Sequence, residues 1–147
     1  MIVKLTVPGK PMAKQSFRYF THEKSKTVIK YQPKEIVEYQ NYIKMCYFEA
    51  YPKHLDIMLR GALKMVIVAY LQIPLSASKK KRDAMNFGEI VPEIKPDYEN
   101  IGKIVGDALK RVAYPDDKYI ADGHVIKRYS YNPRLEITIE EIFGDSL

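Results

Sequence analysis

A chain of 147 residues, 46% hydrophobic and 29% charged, can close a single domain that buries roughly two thirds of the surface its unfolded form exposes, without a disulfide or structural metal. One cysteine excludes an intrachain disulfide, and no apolar run approaches the roughly 18 residues of a membrane-spanning helix. The net charge of +6 is unevenly held: residues 1–82 carry 16 Lys or Arg against 5 Asp or Glu, whereas residues 83–147 carry 8 against 13.

The opening Met-Ile-Val-Lys-Leu-Thr-Val alternates like a strand and is unlike a signal peptide, so a soluble cytoplasmic protein without a membrane partner is expected. Pro8-Gly9 ends that strand as a turn. Residues 9–32 form a long polar connection in which Lys10, Lys14, Arg18, Lys24, Lys26 and Lys30 interleave with Phe17, Tyr19, Phe20 and Tyr31, with a short hairpin expected around Thr27 to Tyr31. From Pro33 the residues Ile36, Tyr39, Ile43, Tyr47 and Ala50 recur at three- and four-residue steps, which predicts an amphipathic helix over 33–50. Cys46 falls within it as a small packed thiol. The run from Ala62 to Ile73 is nearly continuously apolar and rich in β-branched residues, which predicts a central strand buried on both faces. Ser78 is a fitting N-cap for a short basic helix through Lys79, Lys80, Lys81 and Arg82, with Gly88 just past its end.

Beyond Pro92 and Pro96, Asp97 can begin a helix from about Tyr98 to Val112, with Ile101, Ile104, Val105, Ala108 and Val112 on its apolar side. Tyr114-Pro115-Asp116-Asp117 breaks it, and two strands, Tyr119 to Tyr129 and Leu135 to Ile142, follow as a hairpin turned at Asn132-Pro133. The order β, α, β, α, α, β, β predicts an α/β fold over 1–147: one domain with a mixed β-sheet and helices packed on it.

At 100° per residue, Asn100, Lys103 and Asp107 fall within about 60° of one another, beside the apolar face of the 98–112 helix. Asp97 and Glu99 stand at its positive end, where anions are favoured. These residues admit a structural account too: Asp97 as a cap, Glu99 as a first-turn acid, Asp107 as a partner for Arg111 or Lys110, and Asp116-Asp117 as a turn. The other account is a metal site. Clustered carboxylates in an acidic half suit a hard cation such as Mg²⁺, while the basic half suits a phosphate backbone. His22, His54 and His124 are scattered without metal-ligand spacing, and Gly102, Gly106 and Gly123 make no phosphate-cradling loop.

The run Lys95-Pro96-Asp97-Tyr98-Glu99-Asn100, then Lys103, Asp107-Ala108-Leu109 and Asp116-Asp117, resembles the RusA-type Holliday junction resolvases. Supporting likeness lies in the segment from Pro8 to Arg18, in Ser78 to Arg82 and in Pro133 to Ile139. The resemblance implies a homodimeric, Mg²⁺-dependent endonuclease of bacterial or phage origin that nicks opposed strands of a four-way DNA junction, with Mn²⁺ as a substitute metal. Carried over by position, it implies that Asp97, Glu99 and Asp117 coordinate metal, with Asp116 the weaker member of its pair. It makes Lys103 a catalytic lysine at the scissile phosphate and gives Asn100 and Asp107 supporting roles. Glu99 departs from the Asp usual at its position and adds a methylene, which bears on metal number and rate. Lys10, Lys14, Arg18, Lys79, Lys80, Lys81 and Arg82 are the expected DNA contacts, and Phe17 and Tyr19 could stack on unpaired bases. The two-fold symmetry of a junction calls for a C2 dimer, for which the tyrosine-bearing 33–50 helix is one candidate surface. Two other readings stand beside this one: a branched-DNA-binding module with weak or no turnover, and a nuclease for a different branched DNA.

Overall fold

The strand Leu63–Gln72 lies at the centre of a four-stranded sheet, and everything that positions the acidic residues is built outward from it. The computed structural model describes residues 1–12, 18–21, 23–24, 26–53 and 58–143, without the side chains of Arg18, Tyr19 and Phe20. Lys14, Phe17, His22 and His54 lie outside the described residues, as do the side-chain roles expected of Arg18 and Tyr19. In chain order the elements are β1 (Ile2–Pro8), β2 (Arg18–Thr21), β3 (Val28–Tyr31), α1 (Lys34–Ala50), β4 (Leu63–Gln72), α2 (Lys79–Asn86), α3 (Tyr98–Leu109), a 3-10 turn (Asp117–Tyr119), β5 (Ile120–Ser130) and β6 (Arg134–Glu141).

The main sheet runs β1-β6-β4-β5, with β4 parallel to β5 and β6 antiparallel to both β1 and β4. The mixed α/β architecture is as the sequence predicts, and two details differ. β5 and β6 do not pair as a hairpin, because β4 lies between them and bonds to both. Asn132-Pro133 does turn the chain, but the turn spans a strand instead of closing on its neighbour. β4 is also not buried on both faces: Leu63, Met65, Ile67, Ala69 and Leu71 are buried while Lys64, Val66, Val68 and Tyr70 are only half-covered. The helices therefore cover one face of the sheet.

That covered face holds the main core, in which Val3, Leu5 and Val7 of β1 and Leu135, Ile137 and Ile139 of β6 meet the apolar sides of α1 and α3. α1 contributes Ile36, Tyr39, Ile43 and Tyr47, the positions its period marks. Past its end, the Tyr51 hydroxyl accepts from Lys4 N–H at 2.9 Å and donates to Lys4 C=O at 3.1 Å, and the Tyr42 hydroxyl donates to Pro8 C=O at 3.0 Å. These bonds occupy backbone groups of an edge strand that would otherwise offer a template for unwanted pairing. In the 9–32 connection β2 and β3 form a two-stranded antiparallel hairpin of their own, with Arg18 opposite Tyr31 and Thr21 opposite Val28. The short hairpin expected around Thr27 to Tyr31 is instead the second arm of this larger one.

Candidate active site

α3 runs antiparallel to β5 and close to it: a β-carbon on Gly102 would stand 3.5 Å from Val125. Its buried side is Ile101, Ile104, Val105, Ala108 and Leu109, together with Gly106. The helix stops three residues short of the predicted Val112, since Arg111 adopts a left-handed conformation (φ 62°) and its N–H bonds the Tyr114 carbonyl at 2.7 Å. The chain then doubles back along the helix. This short return brings Asp117 to α3.

Asp97 occupies the N-cap position in extended backbone, yet its carboxylate makes no capping hydrogen bond to the helix. It lines an open pocket of about 560 Å³ with Glu93, Ile94, Lys95, Tyr98, Glu99 and Lys127. Asp97 and Glu99 are exposed there, at a helix end whose free N–H groups favour anions. Of the two accounts open to Asp97, capping is the one the geometry does not support.

Asp116 is the reverse case. Its Oδ1 accepts from Lys118 N–H at 3.0 Å, capping the 3-10 turn, and its Oδ2 lies 3.9 Å from Lys110 Nζ. The Lys118 N–H first, then the nearby Lys110, hold its carboxyl below the usual range. Asp116 is engaged in its own turn.

Asp117 is seated against α3. Its Oδ1 accepts from the Tyr114 hydroxyl at 2.9 Å, and both its oxygens stand 3.4 Å from where a β-carbon on Gly106 would be. Tyr114 is fully buried. Burial first, then the charge of Asp117, pushes its phenol far above the ordinary tyrosine value, with Asp107 and Asp116 adding to the effect. Gly106 lies seven residues beyond Glu99, two turns along the same side of α3, and Asp117 packs against the helix there. Lys103, exposed, lies on the stretch between them, with Asn100 half-covered and Asp107 exposed nearby.

The donor chemistry suits Mg²⁺, since Asp97, Glu99 and Asp117 offer carboxylate oxygens, the ligands this ion takes at about 2.0–2.1 Å. Asp97 and Glu99 line one pocket, and Asp117 lies against α3 at Gly106. Among the described residues, no group of three or more His, Cys, Asp or Glu is placed to hold a metal ion. His124 contacts Asp122 at 2.7 Å, on strand positions that alternate with the helix-facing ones.

The basic segment forms α2, capped as expected by Ser78, whose hydroxyl accepts from Lys81 N–H at 3.3 Å. Met85 and Ile90 pack on Leu71, Ile73 and Tyr129 at the carboxyl ends of β4 and β5. Lys79, Lys80 and Lys81 are left exposed there, near the end of β5 that bears Lys127. Lys10, at the turn after β1, is exposed as well.

Three participants were not legible in the sequence. Lys127 reaches the acidic pocket from β5 and donates to the Ile94 carbonyl. Gly106 and Tyr114 make the seat of Asp117. A family model described as Endodeoxyribonuclease RusA matches residues 8–140 of this chain. The chain is also similar to the uncharacterized protein YqaN of Bacillus subtilis (strain 168), at 31% identity over 142 residues, which covers 95% of this chain and 96% of the relative.

Proposed function

This chain belongs to the RusA endodeoxyribonuclease family, and on that premise we propose that it is a Mg²⁺-dependent endonuclease that resolves four-way DNA junctions by paired, symmetric nicks. The observation that carries the reading is Asp97: a carboxylate at a helix start, released from capping, facing an open pocket with Glu99, Lys95 and Lys127. Asp97 and Glu99 would hold the metal together with Asp117, approached along the α3 stripe. The bound ion, Mg²⁺ or Mn²⁺ in its place, supplies an easier deprotonation of water and charge neutralisation at the phosphate.

The chain's own groups do the rest. Lys103, between the pocket and Asp117, offsets charge that gathers on the phosphate. Asn100 and Asp107 orient their neighbours on the same helix side. Asp116 serves as the turn cap and stands outside the ligand set. Lys79, Lys80, Lys81 and Arg82 on α2, with Lys10, Lys14 and Arg18, contact the backbone, so that affinity follows DNA shape and falls with salt.

One acidic site per chain and two nicks per junction require two chains. The outer side of α1 supports a homodimer surface: Val37, Met45 and Phe48 recur at helical spacing and are 42%, 58% and 38% exposed. A Met45→Glu variant is expected to sediment as a monomer and to nick one strand at a time. Paired nicking by that variant would move the interface elsewhere.

The test of the site is Asp97→Asn on a labelled four-way junction. Nicking in Mg²⁺ is expected to fall by several orders of magnitude, while binding in EDTA stays intact or tightens as a repelling charge is lost. Continued cleavage would refute the assignment. That no group of three or more His, Cys, Asp or Glu among the described residues is placed to hold a metal ion favours a second reading, a branched-DNA-binding module with weak or no turnover. Salt-dependent junction binding by the wild type without cleavage in Mg²⁺ or Mn²⁺ would establish it. Preference for a fork over a four-way junction at one salt concentration would mark a different branched substrate. Among the described residues no helix is long and apolar enough to cross a membrane.

A further inference from the structure

The loop between α3 and the 3-10 turn is built around one buried phenol. Tyr114 belongs to the main core, its ring fully enclosed, and its backbone is tied to Arg111 N–H and bridged to Lys110. The position of its hydroxyl is therefore set by core packing and not by the flexible end of a surface side chain. That hydroxyl stands 2.9 Å from Asp117 Oδ1 and 3.4 Å from the Gly106 carbonyl. A phenol has one proton to donate, and the shorter, charge-assisted bond to the carboxylate takes it. Oδ2 accepts no hydrogen bond from a described residue. The absence of a side chain at Gly106 lets the carboxylate lie against α3.

We propose that Tyr114 is a positioning residue for Asp117, holding one carboxylate oxygen from the core while the other is left for a divalent cation. This rests on the reading of Asp117 as a metal ligand and adds what fixes it. A ligand held by an outer hydrogen bond loses less freedom on coordination, and removal of such partners commonly weakens metal binding by about 10- to 100-fold. Tyr114 itself touches neither metal nor DNA in this scheme.

The experiment titrates Mn²⁺ into the full-length, DNA-free protein, followed by the electron paramagnetic resonance of the free ion, for wild type, Tyr114→Phe, Asp117→Asn and the double variant. Tyr114→Phe keeps the ring that the core packs on, so its thermal midpoint is expected within a few degrees of wild type, with Mn²⁺ bound about tenfold more weakly. In the Asp117→Asn background the same change should add nothing, a result that a merely structural tyrosine would not give. Should Tyr114→Phe fold poorly, Gly106→Val tests the same seat with the hydroxyl present. Its branches extend from a β-carbon already 3.4 Å from both oxygens, so Mn²⁺ affinity should fall comparably. Wild-type Mn²⁺ affinity in a folded Tyr114→Phe or Gly106→Val, with Asp117→Asn impaired, overturns the inference and leaves the site reading intact. Wild-type Mn²⁺ binding and nicking by Asp117→Asn overturns that reading, and the inference falls with it.

Discussion

Adjacent carboxylates in one turn can have opposite duties, and Asp116 and Asp117 are such a pair. Asp116 accepts the Lys118 N–H as a cap, whereas Asp117 is held from the core by Tyr114. Asparagine can accept the same backbone bond, so Asp116→Asn is expected to keep near-wild-type nicking while Asp117→Asn loses it; equal loss in both would make Asp116 a ligand after all. Lys127 is the other residue whose role comes from geometry. Its ammonium ties the Ile94 carbonyl, three residues before Asp97, to β5, and its position lines the same pocket as Asp97 and Glu99. Lys127→Met retains the stem and removes the tether. A charge-assisted hydrogen bond contributes about 1.5–3 kcal/mol at best, and this one is partly solvated, so nicking should fall roughly three- to tenfold with the melting temperature little changed. Nicking at the wild-type rate would make the tether incidental.

At the scale of elements, α2 presents basic side chains and α3 presents the proposed site residues, because each has one side committed to packing and one left over. Replacing Lys79, Lys80 and Lys81 with Ala should leave the fold alone, since Met85 is what docks α2 on Leu71 and Tyr129. The slope of log affinity against log salt should shrink by about 0.9 for every lysine that meets a duplex phosphate; an unchanged slope would place the DNA elsewhere. The helices were legible for the reason they are stable. Ile36, Tyr39, Ile43 and Tyr47 repeat at the helical period because one side of α1 is buried, and that repeat is written in the chain. Strand pairing is not written there: Asn132-Pro133 announces a turn but cannot say whether a third strand will enter between its arms. The same holds for the site. Asp97, Glu99, Lys103 and Asp117 stand out by type and spacing, whereas Lys127 joins them across 33 residues of sequence through a contact with Ile94 that no local pattern encodes. Gly106 reads as a weak helix residue until Asp117 is placed against it.

For the whole molecule, covering only one face of the sheet concentrates the large side chains of α1 and the α3 loop in a single core, and several of them are tyrosines. Burial pushes Tyr47 up to about 12, and it raises Tyr39 and Tyr114 further above the ordinary value. In the unfolded chain all three would ionise near pH 10. Below that pH the native and unfolded states hold the same phenolic protons, and the stabilisation from burial is fully present. Above it the unfolded chain releases protons that the folded core retains, so the unfolded state is favoured progressively as pH rises through the native values. Each retained proton tilts the balance by about 1.4 kcal/mol per pH unit, which makes the combined slope about 4 kcal/mol per unit between roughly pH 10 and 12. Urea unfolding at pH 8.0, 9.5 and 11.0 should therefore show little change over the first interval and a steep loss over the second. Tyr47→Phe, which keeps the ring in place and has no proton to lose, should flatten the second interval by about a third. A wild-type stability that stays level to pH 11 would mean that these phenols reach water in the native state, and that the core joining α1, β4 and α3 is looser than its packing implies.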